Sequence, residues 1–133
     1  MTALAGIRVI ELAREPIAFV GKLCGDMGAD VILVEPPGGD PCRNYPPFLD
    51  DTPGEDRSLY WWHYNSSKRS VVIDLDDEDG HERFRALVAT ADVLIEGEPP
   101  RRLPAPGRDF GDLIEPPAAR GYVKVKPISR KET

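Results

Sequence analysis

The sequence is poor in the residues that build metal and redox centres. It has two cysteines, Cys24 and Cys42, and two histidines in 133 residues. The cysteines lack the close spacing of a zinc or dithiol pair, so they are expected to be reduced thiols of a cytoplasmic protein. His63 lies in an aromatic run and His81 in the first turn of an expected helix. Neither has a serine or cysteine nucleophile at a useful spacing, and both read as packing or surface residues. No window approaches about 18 consecutive apolar residues, and the first residues lack a basic segment leading into a long apolar run. A membrane span and a secretion signal are therefore not expected. Basic residues are also in deficit, 17 Lys and Arg against 23 Asp and Glu for a net charge of -6. That balance excludes the broad basic face a nucleic-acid binder needs.

What the sequence does have is an ordinary globular composition, 41% hydrophobic and 30% charged, at a length that suits one folding unit over residues 1–133. Residues 7–12 (IRVIEL) form a short apolar run bounded by Gly6 and by Arg14-Glu15-Pro16, the pattern of a buried strand. Pro16 suits the first turn of a following helix, whose buried stripe is expected to be Ile17, Val20, Cys24 and Met27, with Phe19 and Leu23 beside it. Gly28 should end that helix. Residues 30–35 (DVILVE) contain four consecutive apolar residues, the mark of a strand covered on both faces. Strand, helix, strand in so short a span is a βαβ unit, and right-handed crossover makes its strands parallel.

Residues 36–57 are rich in Pro, Gly and Asp, which predicts a long loop and a candidate ligand wall. Residues 58–65 (SLYWWHYN) read as a short helix or turn anchoring that loop. A third strand is expected over 70–75. Asp76, Asp77, Glu78 and Asp79 would cap the next helix, which buries Phe84, Leu87, Val88 and Ala91. A fourth strand over 92–96 follows, then a short helix near 109–115. Residues 121–126 (GYVKVK) alternate Val with Lys, as a strand wet on one side does, and should lie at an edge or lack their covering layer. The chain is locally basic from Arg120, and its tail, 127–133, reads as a solvated end.

Two site types are weighed and set aside. Glu35 could face a ribose, but no Gly-x-Gly-x-x-Gly follows the first strand, which argues against a dinucleotide site. The acids at 74–79 lack the glycine and spacing of a calcium loop, and helix capping accounts for them, so no metal is expected. Arg43, Lys68 and Arg69 are candidates for phosphate contact, arginine offering a two-pronged fork.

The blocks GIRVIELA, GDMGADVILVEPPGGDPCR, SLYWWHYNSSKRSVVIDL and ALVATADVLIE resemble, in order and spacing, the opening of the family III coenzyme A transferases. The resemblance implies an α/β, Rossmann-like large domain, here partial, with a mostly parallel sheet flanked by helices. It implies coenzyme A or acyl-CoA as ligand, and an interlaced homodimer. In that family an aspartate attacks the acyl-CoA and becomes an aspartyl-CoA thioester, dividing one hard transfer into easier steps. It falls downstream of residues 122–125, so no catalytic residue is assigned to this chain, and a downstream family segment or second chain is the expected partner. Ile73 and Gly97 occupy positions where the family lines its adenine-ribose pocket. Residues 14–18 run one residue short of the family's Ala-Gly-Pro turn. Gly97 and Glu98 stand where Asn-Phe is common, while Asn65-Ser66-Ser67-Lys68-Arg69-Ser70 keeps the family's basic pair. The expected role is the N-terminal part of a CoA-transferase, inactive alone. The alternative is a non-catalytic binding or assembly module of the same fold.

Overall fold

The computed structural model describes residues 2–12, 15–97 and 121–124. Five parallel strands form one sheet in the order β3-β2-β1-β4-β5. They are β1 (Arg8–Leu12), β2 (Asp30–Glu35), β3 (Lys68–Val72), β4 (Val93–Glu96) and β5 (Gly121–Lys124). β1 is central, with Val9 opposite both Val31 of β2 and Val93 of β4. The chain adds β2 and β3 on one side of β1, then returns across it to add β4 and β5. The carboxyl ends of β1 and β4 thus flank the point where strand order reverses, the place where open parallel sheets form a ligand crevice.

Over β1, β2 and β4 both faces of the sheet are covered, which is why those strand sequences are continuous apolar runs rather than alternating ones. On one face Ile10, Leu12, Ile32, Val34 and Leu94 pack against Phe84 and Val88 of α3 (Glu78–Val88), with Ile73 and Ala91. Phe84, Ile10 and Leu94 are fully buried, each stabilising by about 1.5–3 kcal/mol relative to exposure. On the other face Val9, Val31 and Ile95 meet Ile17 and Ala29, with Cys24 of α1 (Ala18–Asp26) partly buried against them. Gly28, at φ 97°, lets the chain leave α1 through a left-handed turn that an L side chain would strain.

The first two strands and the two long helices fall where periodicity places them. The buried stripe of α1 does so only at Ile17 and Cys24. Ile17 is buried, but Phe19, Val20, Leu23 and Met27 are 40–51% exposed, and the residues turned inward are Ala18 and Gly21. Small residues face the sheet because α1 lies close against it. β3 begins at Lys68 rather than at residue 70, so the basic pair sits inside the strand and not before it. The segment 36–57 is also more structured than a loop without periodicity suggests. It carries 3-10 turns at Pro41–Asn44 and Leu49–Asp51, with a bridge between Phe48 and Ser58. Ser58 caps α2 (Leu59–Asn65) by accepting from the Trp61 N–H, and its hydroxyl donates to Tyr45 O at 2.6 Å. Among the described residues β5 lies at the edge of the sheet; the short helix near 109–115 and the tail 127–133 lie outside the described residues.

Candidate functional site

Glutamates stand at or next to the carboxyl ends of three strands, Glu11 in β1, Glu35 in β2 and Glu96 in β4, each no more than 1% exposed. A buried carboxylate is costly unless its oxygens are supplied with donors. Glu35 is fully supplied. Arg43 grips it with a two-pronged fork, Nε to Oε2 and Nη2 to Oε1, both at 2.7 Å. The Asp40 N–H donates at 2.7 Å, and the Ser70 hydroxyl donates through a short bond. Burial alone would raise the Glu35 pKa, but Arg43, Ser70 and the Asp40 N–H outweigh it and hold the group at about 2. The Arg43 guanidinium also lies 3.6 Å from the centroid of Trp61 and donates from Nη1 to Asp56 at 2.5 Å.

The second cluster is deeper. Lys68, with a side chain 1% exposed, reaches from β3 to Glu11 on β1 at 2.8 Å. Its other two protons go to Ala18 O at 2.8 Å and Asn65 Oδ1 at 2.9 Å, so all three ammonium donors are engaged. Burial pushes the Glu11 pKa up to about 7, against the pull of the Lys68 charge. Helix α1 closes over this pair at Gly21, where a Cβ would overlap Glu11 Oε2 and lie 2.7 Å from Cδ.

The five candidate residues separate across the sheet. Arg43 reaches the carboxyl end of β2. Ile73 is buried just past β3, its N–H donating to Glu35 O at 3.0 Å. Gly97 follows β4, and a Cβ there would come within 2.8 Å of Ile17 Cγ2, so only glycine lets the backbone lie against that side chain. Lys68 is spent inside the α1–sheet interface. Arg69 points to the opposite, amino end, where it pairs with Asp30 at 2.6 Å. Arg43, Ile73 and Gly97 therefore share the crevice end of the sheet, and Lys68 and Arg69 do not.

A further group at this end carries no short-range sequence signal. Glu15, just after β1, accepts from the hydroxyls of Tyr60 at 3.1 Å and Tyr45 at 3.4 Å, whose rings stand 5.4 Å apart. The positions are 30 and 45 residues from Glu15, and only the fold brings them together. Burial raises the Tyr60 pKa to about 12 and, with the neighbouring Asp40, the Cys42 thiol to about 12. Cys42 is therefore a protonated, inert thiol rather than a nucleophile. Among the described residues no three His, Cys, Asp or Glu side chains come together to hold a metal ion.

The profile of CoA-transferase family III matches residues 4–115. The chain belongs to that family. It is 37% identical over 123 residues to the succinyl-CoA:(R)-benzylsuccinate CoA-transferase subunit BbsE of Thauera aromatica, covering 92% of this chain and 30% of that protein. It is 46% identical over 114 residues to the succinate–glutarate CoA-transferase of Agrobacterium fabrum, covering 83% of this chain and 28% of the relative. Among solved structures, a CAIB/BAIF family protein from Brucella suis superposes with a TM-score of 0.72 at 43% identity, over 84% of this chain and 30% of that one. The protein Rv3272 of Mycobacterium tuberculosis superposes with a TM-score of 0.75 at 28% identity, over 95% and 33%. The chain thus spans about a third or less of the length of these relatives. Among the described residues no helix is long and apolar enough to cross a membrane.

Proposed function

We propose that this chain is the nucleotide-facing part of a family III CoA-transferase, forming the wall against which coenzyme A or an acyl-CoA rests. The acyl-transferring aspartate would come from polypeptide beyond this sequence, either a downstream segment or a second chain, in a cytoplasmic assembly that includes a homodimer. The observation that carries this reading is the parallel order β3-β2-β1-β4-β5. Its reversal point lies between the ends of β1 and β4, where Gly97 packs on Ile17. Gly97 and Ile17 are close-packed beneath that point, and Arg43 and Ile73 stand along the same end. No metal takes part in this reading. Lys68, with all three donors engaged in the chain, and Arg69, at the far end, are left out of the ligand contacts.

One observation favours a second reading, a binding or assembly module without catalysis: Arg43, Lys68 and Arg69 each have a carboxylate partner within the chain. Incubation with an acyl-CoA and hydroxylamine separates the two. The chain alone should yield no protein-bound aspartyl hydroxamate, whereas co-expression with the downstream two thirds of the Agrobacterium relative should produce one. If the reconstituted pair binds acyl-CoA yet forms no hydroxamate, the module reading replaces the enzyme reading.

A further inference from the structure

The Arg43 guanidinium is shared between two carboxylates in opposite surroundings. Nε and Nη2 are locked onto Glu35, whose side chain is 1% exposed, whereas Nη1 meets Asp56, whose side chain is 71% exposed. The buried fork is a fixed part of the fold. The outer contact is a single ion pair open to water, the kind that contributes little net stability and weakens in salt.

Residues 49–57 are otherwise self-contained. Their base is closed by the Phe48–Ser58 bridge, and the Leu49 N–H donates to Arg57 O at 2.9 Å. Arg57 clasps the interior, donating to Thr52 O at 3.0 Å, Leu49 O at 2.7 Å and Asp50 Oδ2 at 3.2 Å. Among the described residues, Arg43–Asp56 is the one hydrogen bond or ion pair that joins residues 49–57 to the body beyond that base. Asp50, Asp51 and Asp56 all hold left-handed backbone, with φ of 54°, 52° and 57°, a conformation with a steric cost for L residues. The segment is thus an internally clasped strap with one exposed fastening.

We infer that residues 49–57 are a latched strap, that Asp56 is its latch on Arg43, and that an external phosphate-type anion displaces Asp56 from Nη1 and releases it. Glu35 neutralises Arg43 and fixes its orientation, so the outward edge offers geometry more than charge. A phosphate oxygen fits that edge as a carboxylate does, with more charge.

The test uses backbone amide order parameters for residues 50–56 in the full chain. The variant is Asp56→Asn, because asparagine tolerates φ near 57° and only the charge is lost. In the wild type at low salt these amides should be as rigid as α2. Asp56→Asn should lower them to below about 0.6, leaving α2 and the urea midpoint unchanged. In the wild type, sodium pyrophosphate should release the strap at an ionic strength roughly tenfold below that needed with sodium chloride. Unchanged order parameters in Asp56→Asn would overturn the latch. Equal effects of the two salts at matched ionic strength would overturn displacement by the anion. Both readouts are independent of whether coenzyme A binds.

Discussion

The Lys68 ammonium lies 2.8 Å from the Glu11 carboxylate with neither side chain more than 1% exposed. This pair ties β3 to β1 and, through Ala18 O and Asn65 Oδ1, ties both strands to α1 and α2. It lies between the sheet and its covering helix, so the candidate basic residue with the most buried charge is a fastening of the fold. Removing Lys68 alone strands Glu11 in an apolar site. Lys68→Met should cost about 3–5 kcal/mol in urea unfolding at pH 8, and Glu11→Leu/Lys68→Met should recover most of it. A double variant as unstable as the single one would contradict the pairing.

Glu11 and Glu35 should give the stability curve opposite slopes. For Glu35 the folded pKa of about 2 lies below its ordinary 4.5. The unfolded chain therefore binds more protons between those values, and stability is full above 4.5 and lost as pH falls toward 2. For Glu11 the folded pKa of about 7 lies above 4.5. The folded chain holds the extra proton in that window, so stability present at low pH is lost as pH rises through 7. Together the two groups place a maximum near pH 4.5. In urea midpoints measured across pH, Glu35→Gln should flatten the acid limb and Glu11→Gln the neutral one. An unchanged limb in either variant would refute the assignment for that residue.

Gly21→Ala tests the close approach of α1. Alanine favours a helix interior by about 1 kcal/mol, yet here its Cβ would overlap the Glu11 carboxylate. The clash should win, with net destabilisation of about 1–3 kcal/mol by chemical denaturation. A stabilised Gly21→Ala variant would mean that α1 does not sit where it is described.

Much of the fold is legible from local pattern, because a strand buried on both faces announces itself as an apolar run, as Asp30–Glu35 does. Pattern fails where a polar or small residue is buried for a non-local reason. Pattern starts β3 at residue 70 because Lys68 and Arg69 look solvated; the acid that neutralises Lys68 is 57 positions away. The inward face of α1 is missed because Ala18 and Gly21 carry little hydrophobic signal, while Phe19 and Leu23 carry much. The order of segment 36–57 rests on Glu35, Arg43 and Ser58, side-chain bonds that no periodicity records. At the candidate site, Gly97 and Ile73 stand at the carboxyl end of the sheet, whereas the basic triad divides because its three partners are unrelated in sequence.

The inward face of α1 has a direct energetic signature. Ile17 is fully buried and Phe19 is 51% exposed, although both belong to the apolar set of the same segment. Ile17→Ala should cost about 2–5 kcal/mol, and Phe19→Ser less than about 1 kcal/mol. Thermal or urea unfolding of the two variants decides the point, and a Phe19→Ser cost as large as that of Ile17→Ala would contradict the outward placement of Phe19.

On the function proposed above, coenzyme A is seated at the carboxyl ends of β1 and β4. The most direct measurement is an amide chemical-shift titration of the chain with coenzyme A. The expected result is saturable shifts clustered at Gly97, Ile17 and the segment around Arg43, with Asp30 and Arg69 at the far end unmoved. No shifts at millimolar ligand, or shifts centred on Asp30 and Arg69, would contradict it.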